Sequence, residues 1–157
     1  MSRGFLRCLV AMLTLLGGSV IPLFAGGMPR IGGFVGEPSG FSFVYPVGHR
    51  DVDLEMNAGW STRRDGGVDL GALAKFSLYE SKRRDPVQTY WFWGAGGHVT
   101  FFDHTEFAVL GTIGPSFVFG GGQDAMHEIY IEVGPTVALV PGAPINLFAV
   151  VGYRITG

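Results

Sequence analysis

The chain has 157 residues, 11 basic against 13 acidic side chains for a formal net charge of −2, 26 glycines, 13 phenylalanines and one cysteine. So mild an acidity excludes a nucleic-acid binder that works by electrostatics, and one cysteine excludes an internal disulfide framework or a cysteine-based metal centre. The length suits a single domain after any leader is removed.

At the N-terminus, Arg3 and Arg7 precede an apolar run from Leu9 to Leu16. The run continues past Gly17-Gly18 through Val20, Ile21, Leu23 and Phe24 to the small residues Ala25-Gly26-Gly27. This is the layout of a secretory signal peptide over residues 1–25, cut after Ala25. The alternative is an uncleaved membrane anchor, which needs roughly 20 uninterrupted apolar residues; Gly17, Gly18 and Pro22 break the run. Cys8 lies before the apolar core rather than just after it, so the mature chain is expected to carry no lipid anchor. Cleavage removes two arginines and no acid, leaving nine basic and 13 acidic residues, a charge of −4.

Residues 26–157 alternate with period two, segment after segment. Ile31 to Gly36 and Phe41 to Val47 read as two strands around Glu37-Pro38-Ser39-Gly40, or as one strand with a bulge there. The clearest run is Asp51 to Ser61, where Val52, Leu54, Met56, Ala58 and Trp60 oppose Asp51, Asp53, Glu55, Asn57, Gly59 and Ser61. At about 3.3 Å per residue such a run spans about 36 Å, the reach of a tilted transmembrane strand.

Next, Val68, Leu70, Ala72, Ala74, Phe76 and Leu78 oppose Asp69, Gly71, Lys75 and Ser77. Trp91, Trp93, Ala95, Val99 and Phe101 then oppose Tyr90, Gly94, Gly96, His98 and Thr100, and Phe107, Val109, Gly111, Ile113 and Phe117 oppose Glu106, Ala108, Thr112, Gly114 and Ser116. The scheme closes with Ile129, Ile131, Val133, Pro135, Val137 and Leu139 against Glu128, Tyr130, Glu132, Gly134, Thr136 and Ala138, and with Ile145, Leu147, Ala149, Val151, Tyr153 and Ile155 against Asn146, Phe148, Val150, Gly152 and Arg154.

Turn signals separate the runs at 48–50, 63–67, 81–86, 103–104, 120–124 and 141–144. Together they imply an all-β fold: a single antiparallel up-and-down transmembrane β-barrel of eight strands, because bacterial barrels take even strand numbers and closure removes the free edges. The apolar faces, represented by Val52, Leu54, Met56, Trp60, Ile129, Ile131, Val133, Leu147 and Val151, are expected to meet lipid. Trp60, Tyr90, Trp91, Trp93, Phe101 and Tyr153 are expected to form interfacial girdles. Pro115 and Pro135 sit mid-strand, each after a glycine, where a shared bulge is expected.

Eight strands leave a narrow lumen, so inward charges should pair and plug it. Hairpin register puts Glu55 near Lys75 and Glu132 diagonal to Arg154, and these four are read as a structural lumen network. Of the histidines, His49, His104 and His127 fall at turns and only His98 points inward; no pair has zinc-site spacing. His104 with Asp103 or Glu106, and Ser116, is the one triad that can be assembled for a lipid-modifying enzyme. The glycine runs at 94–97 and 120–122 open no helix and so do not suggest a nucleotide loop. No catalytic, cofactor-binding or metal residues are assigned.

The segments Gly36-Glu37-Pro38-Ser39-Gly40-Phe41-Ser42, Gly94-Ala95-Gly96-Gly97, Ile131-Glu132-Val133-Gly134-Pro135 and Val151-Gly152-Tyr153-Arg154 resemble those of a family of small, uncharacterised bacterial outer-membrane β-barrel proteins. The resemblance covers most of residues 26–157 and implies a fold and a location without an activity. Such barrels end on an aromatic residue read by the assembly machinery; here Tyr153 would serve as a displaced signal. A structural or interaction barrel of the outer membrane is thus the leading reading. Its partners would be membrane lipid, lipopolysaccharide where the host makes it, and the export and barrel-assembly machinery. A soluble periplasmic or secreted β-barrel that buries the Val52-Leu54-Met56-Ala58-Trp60 stripe around an apolar ligand is the alternative, and a lipid-modifying enzyme the third.

Overall fold

A computed structural model describes residues 28–47, 52–61, 67–80, 87–101, 105–120, 126–140 and 144–156. The proposed signal peptide, His49 and the pair Asp103-His104 lie outside them. Eight strands follow in order: β1 (Arg30–Gly36), β2 (Ser39–Pro46), β3 (Val52–Ser61), β4 (Gly67–Glu80), β5 (Val87–Phe101), β6 (Thr105–Phe119), β7 (Met126–Val140) and β8 (Ile145–Thr156). Each pairs antiparallel with its neighbours, and β1 pairs with β8 to close the barrel. The two N-terminal runs are therefore separate strands, with Pro38 in the connection between them, where its missing N–H costs no ladder bond.

The topology defines two ends. At one, which we call the hairpin end, lie the connections β1–β2, β3–β4, β5–β6 and β7–β8. At the other, the terminal end, Arg30 pairs with Thr156 and the remaining three connections turn.

Alternation fixes which face each side chain takes, because neighbouring residues of a strand point to opposite sides of the sheet. Along β8, Ile145, Leu147, Val151, Tyr153 and Ile155 are exposed outside, while Val150, Gly152, Arg154 and Thr156 are buried inside. The inner face is less uniformly polar than the sequence suggests. Leu73 on β4 and Phe92 on β5 interrupt their polar rows and are buried, and Phe34, Phe92, Tyr130 and Val150 form an apolar cluster within the lumen.

Pro115 and Pro135 are accommodated without the expected bulge. Ladder pairs between β6 and β7 keep one register across both, through Leu110↔Thr136, Ile113↔Val133 and Ser116↔Tyr130. The only irregularity of this seam lies at Phe107/Ala108. Each proline pairs on its outer flank, Pro115 with Trp91 and Pro135 with Leu147. Both missing donors therefore bear on the β6–β7 seam, where the preceding glycines allow close backbone approach: a Cβ on Gly114 would stand 1.8 Å from the Ile131 carbonyl oxygen, and one on Gly134 1.8 Å from that of Gly111. The glycine before each proline relieves the crowding that a bulge would otherwise absorb.

Candidate functional site: a lumen in two halves

Large side chains fill the terminal half of the lumen. Lys75 stands between two carboxylates, 2.5 Å from Glu55 and 2.7 Å from Glu132. Arg154 lies 2.6 Å from the other oxygen of Glu55 and 3.4 Å from Glu128, and its Nε donates to the Ser42 hydroxyl at 3.0 Å. Its guanidinium stacks 3.6 Å above the Tyr130 ring, and the Lys75 ammonium lies 4.5 Å from the Phe92 ring centre. All of these charged groups are buried. Isolated, each would be costly to hold out of water; here every one meets an opposite charge, and the rings add cation–π contacts.

Below them Arg30 pairs with Asp53 and approaches Glu128 at 3.5 Å, while Tyr90 and Ser116 donate to Glu128 at 2.5 and 2.6 Å. One layer thus joins all eight strands, six through charged or aromatic side chains and β2 and β6 through the hydroxyls of Ser42 and Ser116. A cavity of about 10 Å³ lies among these groups, at the lower limit of the room one water needs.

All four residues assigned to the lumen from sequence lie in this layer, with one change of partner. In the β7–β8 register Arg154 faces Glu128 directly and Glu132 faces Val150, two residues away from the pairing expected of a turn over 140–144. A two-residue slip keeps every side chain on its face and exchanges only the neighbours. Glu132 therefore pairs with Lys75 from across the lumen, and Arg154 pairs with Glu55 and Glu128. Sequence reasoning passed over Arg30, whose even-numbered position, in step with the inward Phe34, was the available signal. It also assigned Tyr90 to an outer girdle, whereas its hydroxyl lies in the lumen against Glu128 and Arg30.

Towards the hairpin end the lumen is hollow. Small inner residues, Gly59, Gly71, Asn57, Thr100 and Thr136 among them, leave a cup of about 310 Å³. Asp69 is buried in its wall, accepting from the Thr100 hydroxyl at 2.8 Å with His98 Nδ1 at 3.5 Å. Glu37 accepts from the Ser61 hydroxyl across the β1–β2 and β3 ends. Glu55, Leu73, Tyr130 and Glu132 close the cup towards the filled half.

Of the proposed triad, His104 and Asp103 lie outside the described residues, and the two described members are not brought together. Glu106 lines the cup, whereas Ser116 is buried against Glu128 in the terminal half, ten residues or roughly 33 Å further along the same strand. No group of three or more His, Cys, Asp or Glu among the described residues is placed to hold a metal ion.

On the outside, Met56, Trp60, Ile129, Ile131, Val133, Leu147 and Val151 are exposed, and Val52 and Leu54 are half-buried on the same face. The stripe that a soluble binder would turn inward points out. Aromatic side chains gather at both ends of the outer face: Phe41 packs edge-on against Trp60 at 6.0 Å at the hairpin end, and Phe119, His127 and Tyr153 stack in series at the terminal end. Trp93 stacks on Phe76 at 4.6 Å between strands β5 and β4.

Among solved structures, the N-terminal β-barrel domain of Pseudomonas aeruginosa OprF matches at a TM-score of 0.54 and 14% identity, over 84% of this chain and 98% of that domain. The two share the barrel fold. No protein-family model matches the chain, and no curated protein does. At this level of identity the likeness extends to the eight-stranded architecture alone.

Proposed function

We propose that this protein is an outer-membrane β-barrel of structural or interaction type, located in the bacterial outer membrane, with a lumen closed by paired charges rather than an open channel. The observation that carries the reading is its inverted polarity. Glu55, Lys75, Glu128, Glu132 and Arg154 are buried inside, while 24 large hydrophobic side chains among the described residues are exposed, most of them around the outer wall. In water a closed apolar wall of this kind would be an aggregation surface; in lipid it is the solvated face. Closure also leaves no strand edge unpaired within hydrocarbon.

On this reading, Val52, Leu54, Met56, Trp60, Ile129, Ile131, Val133, Leu147 and Val151 contact lipid or lipopolysaccharide. Residues 1–25 direct export and are removed, and the barrel-assembly machinery inserts residues 26–157. Glu55, Lys75, Glu132 and Arg154 are the core of the structural plug, and the protein has no catalytic role. The outward placement of the Val52–Trp60 stripe weighs against a soluble barrel that wraps an apolar ligand with that face.

Cell fractionation, followed by electrophoresis of the outer-membrane fraction with and without heating, tests the reading. A band in that fraction whose mobility changes on heating is the expected result. Recovery in the soluble fraction without detergent would overturn it.

A further inference from the structure

The same barrel wall encloses a filled half and a hollow half, and the difference is written in side-chain size. Tyr90, Phe92, Arg30 and Arg154 occupy the terminal half, whereas glycines at 59 and 71 leave the cup of about 310 Å³ at the hairpin end. That volume lies at the lower end of the range of small-molecule sites.

Its two walls differ in chemistry. In a ring of eight strands β1 and β8 stand opposite β5 and β4. Phe34 on β1 and Phe148 and Val150 on β8 make one wall mainly apolar, with Glu37 and Asn146 at its hairpin-end rim, while Asp69 on β4, His98 on β5 and Glu106 on β6 make the facing wall mainly polar and acidic, with Leu73 and Leu110 deeper in it. No lysine or arginine lines the cup among the described residues; the cations that neutralise Glu55 and Glu132 lie on the filled side. On the floor, the Tyr130 hydroxyl lies near Ser42 and completes no hydrogen bond of normal geometry.

The geometry points to a binding cup for a small amphipathic organic cation, an amine whose charged head sits against Asp69 and Glu106 while its apolar body lies on Phe34, Phe148 and Val150. Carboxylates in a recess with low-dielectric walls attract such a head more strongly than surface carboxylates do. The inference concerns the inner face and rests on the membrane reading for the medium of its test: a barrel that does not enter nanodiscs counts against that reading, whereas one that enters and binds no amine counts against this proposal.

The test uses the processed protein, residues 26–157, folded in lipid nanodiscs, with methyl resonances of Leu73 and Val150 as reporters and 2-phenylethylammonium as the probe. Saturable shifts of both methyls are expected. The matched carboxylate, 3-phenylpropionate, should bind at least about tenfold more weakly because like charges meet in the recess, and the neutral 2-phenylethanol should fall between them. Gly71→Leu should abolish binding by filling the cup. A Cβ at that position meets nothing nearer than 3.5 Å, so the backbone tolerates it. Asp69→Asn with Glu106→Gln should remove the preference for the amine over the alcohol. The proposal is overturned if the amine gives no saturable shift, or if the carboxylate binds as well as the amine. Unchanged amine binding in a Gly71→Leu barrel that keeps its heat-dependent mobility would overturn it equally. The wild-type comparison of amine with carboxylate decides the matter even where a variant does not fold.

Discussion

Lys75 is the residue on which the lumen charges turn, since its ammonium is shared by Glu55 and Glu132 and flanked by Phe92 and Tyr130. Replacing it with methionine keeps the length and removes the charge, leaving Glu132 without its cation. Breaking a buried pair from one side costs about 3–5 kcal/mol, so Lys75→Met is expected to lower the unfolding free energy by about that amount in urea titrations of the barrel in lipid vesicles. A loss below about 1 kcal/mol would mean that water reaches the pair and that the layer is not a plug. Lys75 and Glu55 are legible as neighbours from the 62–66 connection alone, because a hairpin puts nearby positions of one face together. The Glu55–Arg154 contact joins β3 to β8 across the lumen, and no local pattern reports it.

Among the elements, β6 and β7 carry the strongest local contradiction, a proline in the middle of each. The chain meets it by placing both prolines on one seam and a glycine before each, so that the strands pair past the prolines in one register, the shift of this seam lying away from them at Phe107/Ala108. Gly134→Ala is therefore expected to destabilise the barrel by roughly 1–3 kcal/mol, the cost of forcing a methyl into a packed backbone contact. Gly111→Ala, whose Cβ would have no neighbour nearer than 4.0 Å, should change stability by less than about 0.5 kcal/mol. Equal effects of the two in the same unfolding assay would show that the seam is looser than its geometry. On the outer face of β7, Ile131→Arg is expected to cost about 2–4 kcal/mol in vesicles if this position lies near the bilayer centre; no cost there would contradict the lipid-facing reading of this strand.

For the whole molecule, closure turns eight amphipathic strands into one wall with two solvents. Three tryptophans, Trp60, Trp91 and Trp93, are exposed on the outside, with Trp60 at the hairpin end and the other two nearer the terminal end. With each retained singly and the other two changed to Phe, the fluorescence of all three is expected to be quenched by lipids brominated along the acyl chain. Retention of full emission in a folded barrel would place that wall in water and sink the membrane reading. The same experiment leaves the cup untouched, because its lining contains no tryptophan.

Alternation in the sequence was enough to determine the strand class and the face of nearly every side chain, because a two-residue period survives any even slip of register; whether residues 31–47 make one strand or two stayed open until the closed pairing showed two. Glu55, Lys75, Glu132 and Arg154 could thus be placed inside without a structure. Partner choice was not determined in this way: Arg154 meets Glu128 and Glu55 because of the β7–β8 register and the closure of β1 on β8. Nor could period two tell that Tyr90 is inward by function as well as parity, that Leu73 and Phe92 help to fill the lumen, or that the hairpin half is hollow. Those features depend on which side chains share a height in the closed barrel, and only the tertiary structure sets that height, through the shear with which eight strands meet.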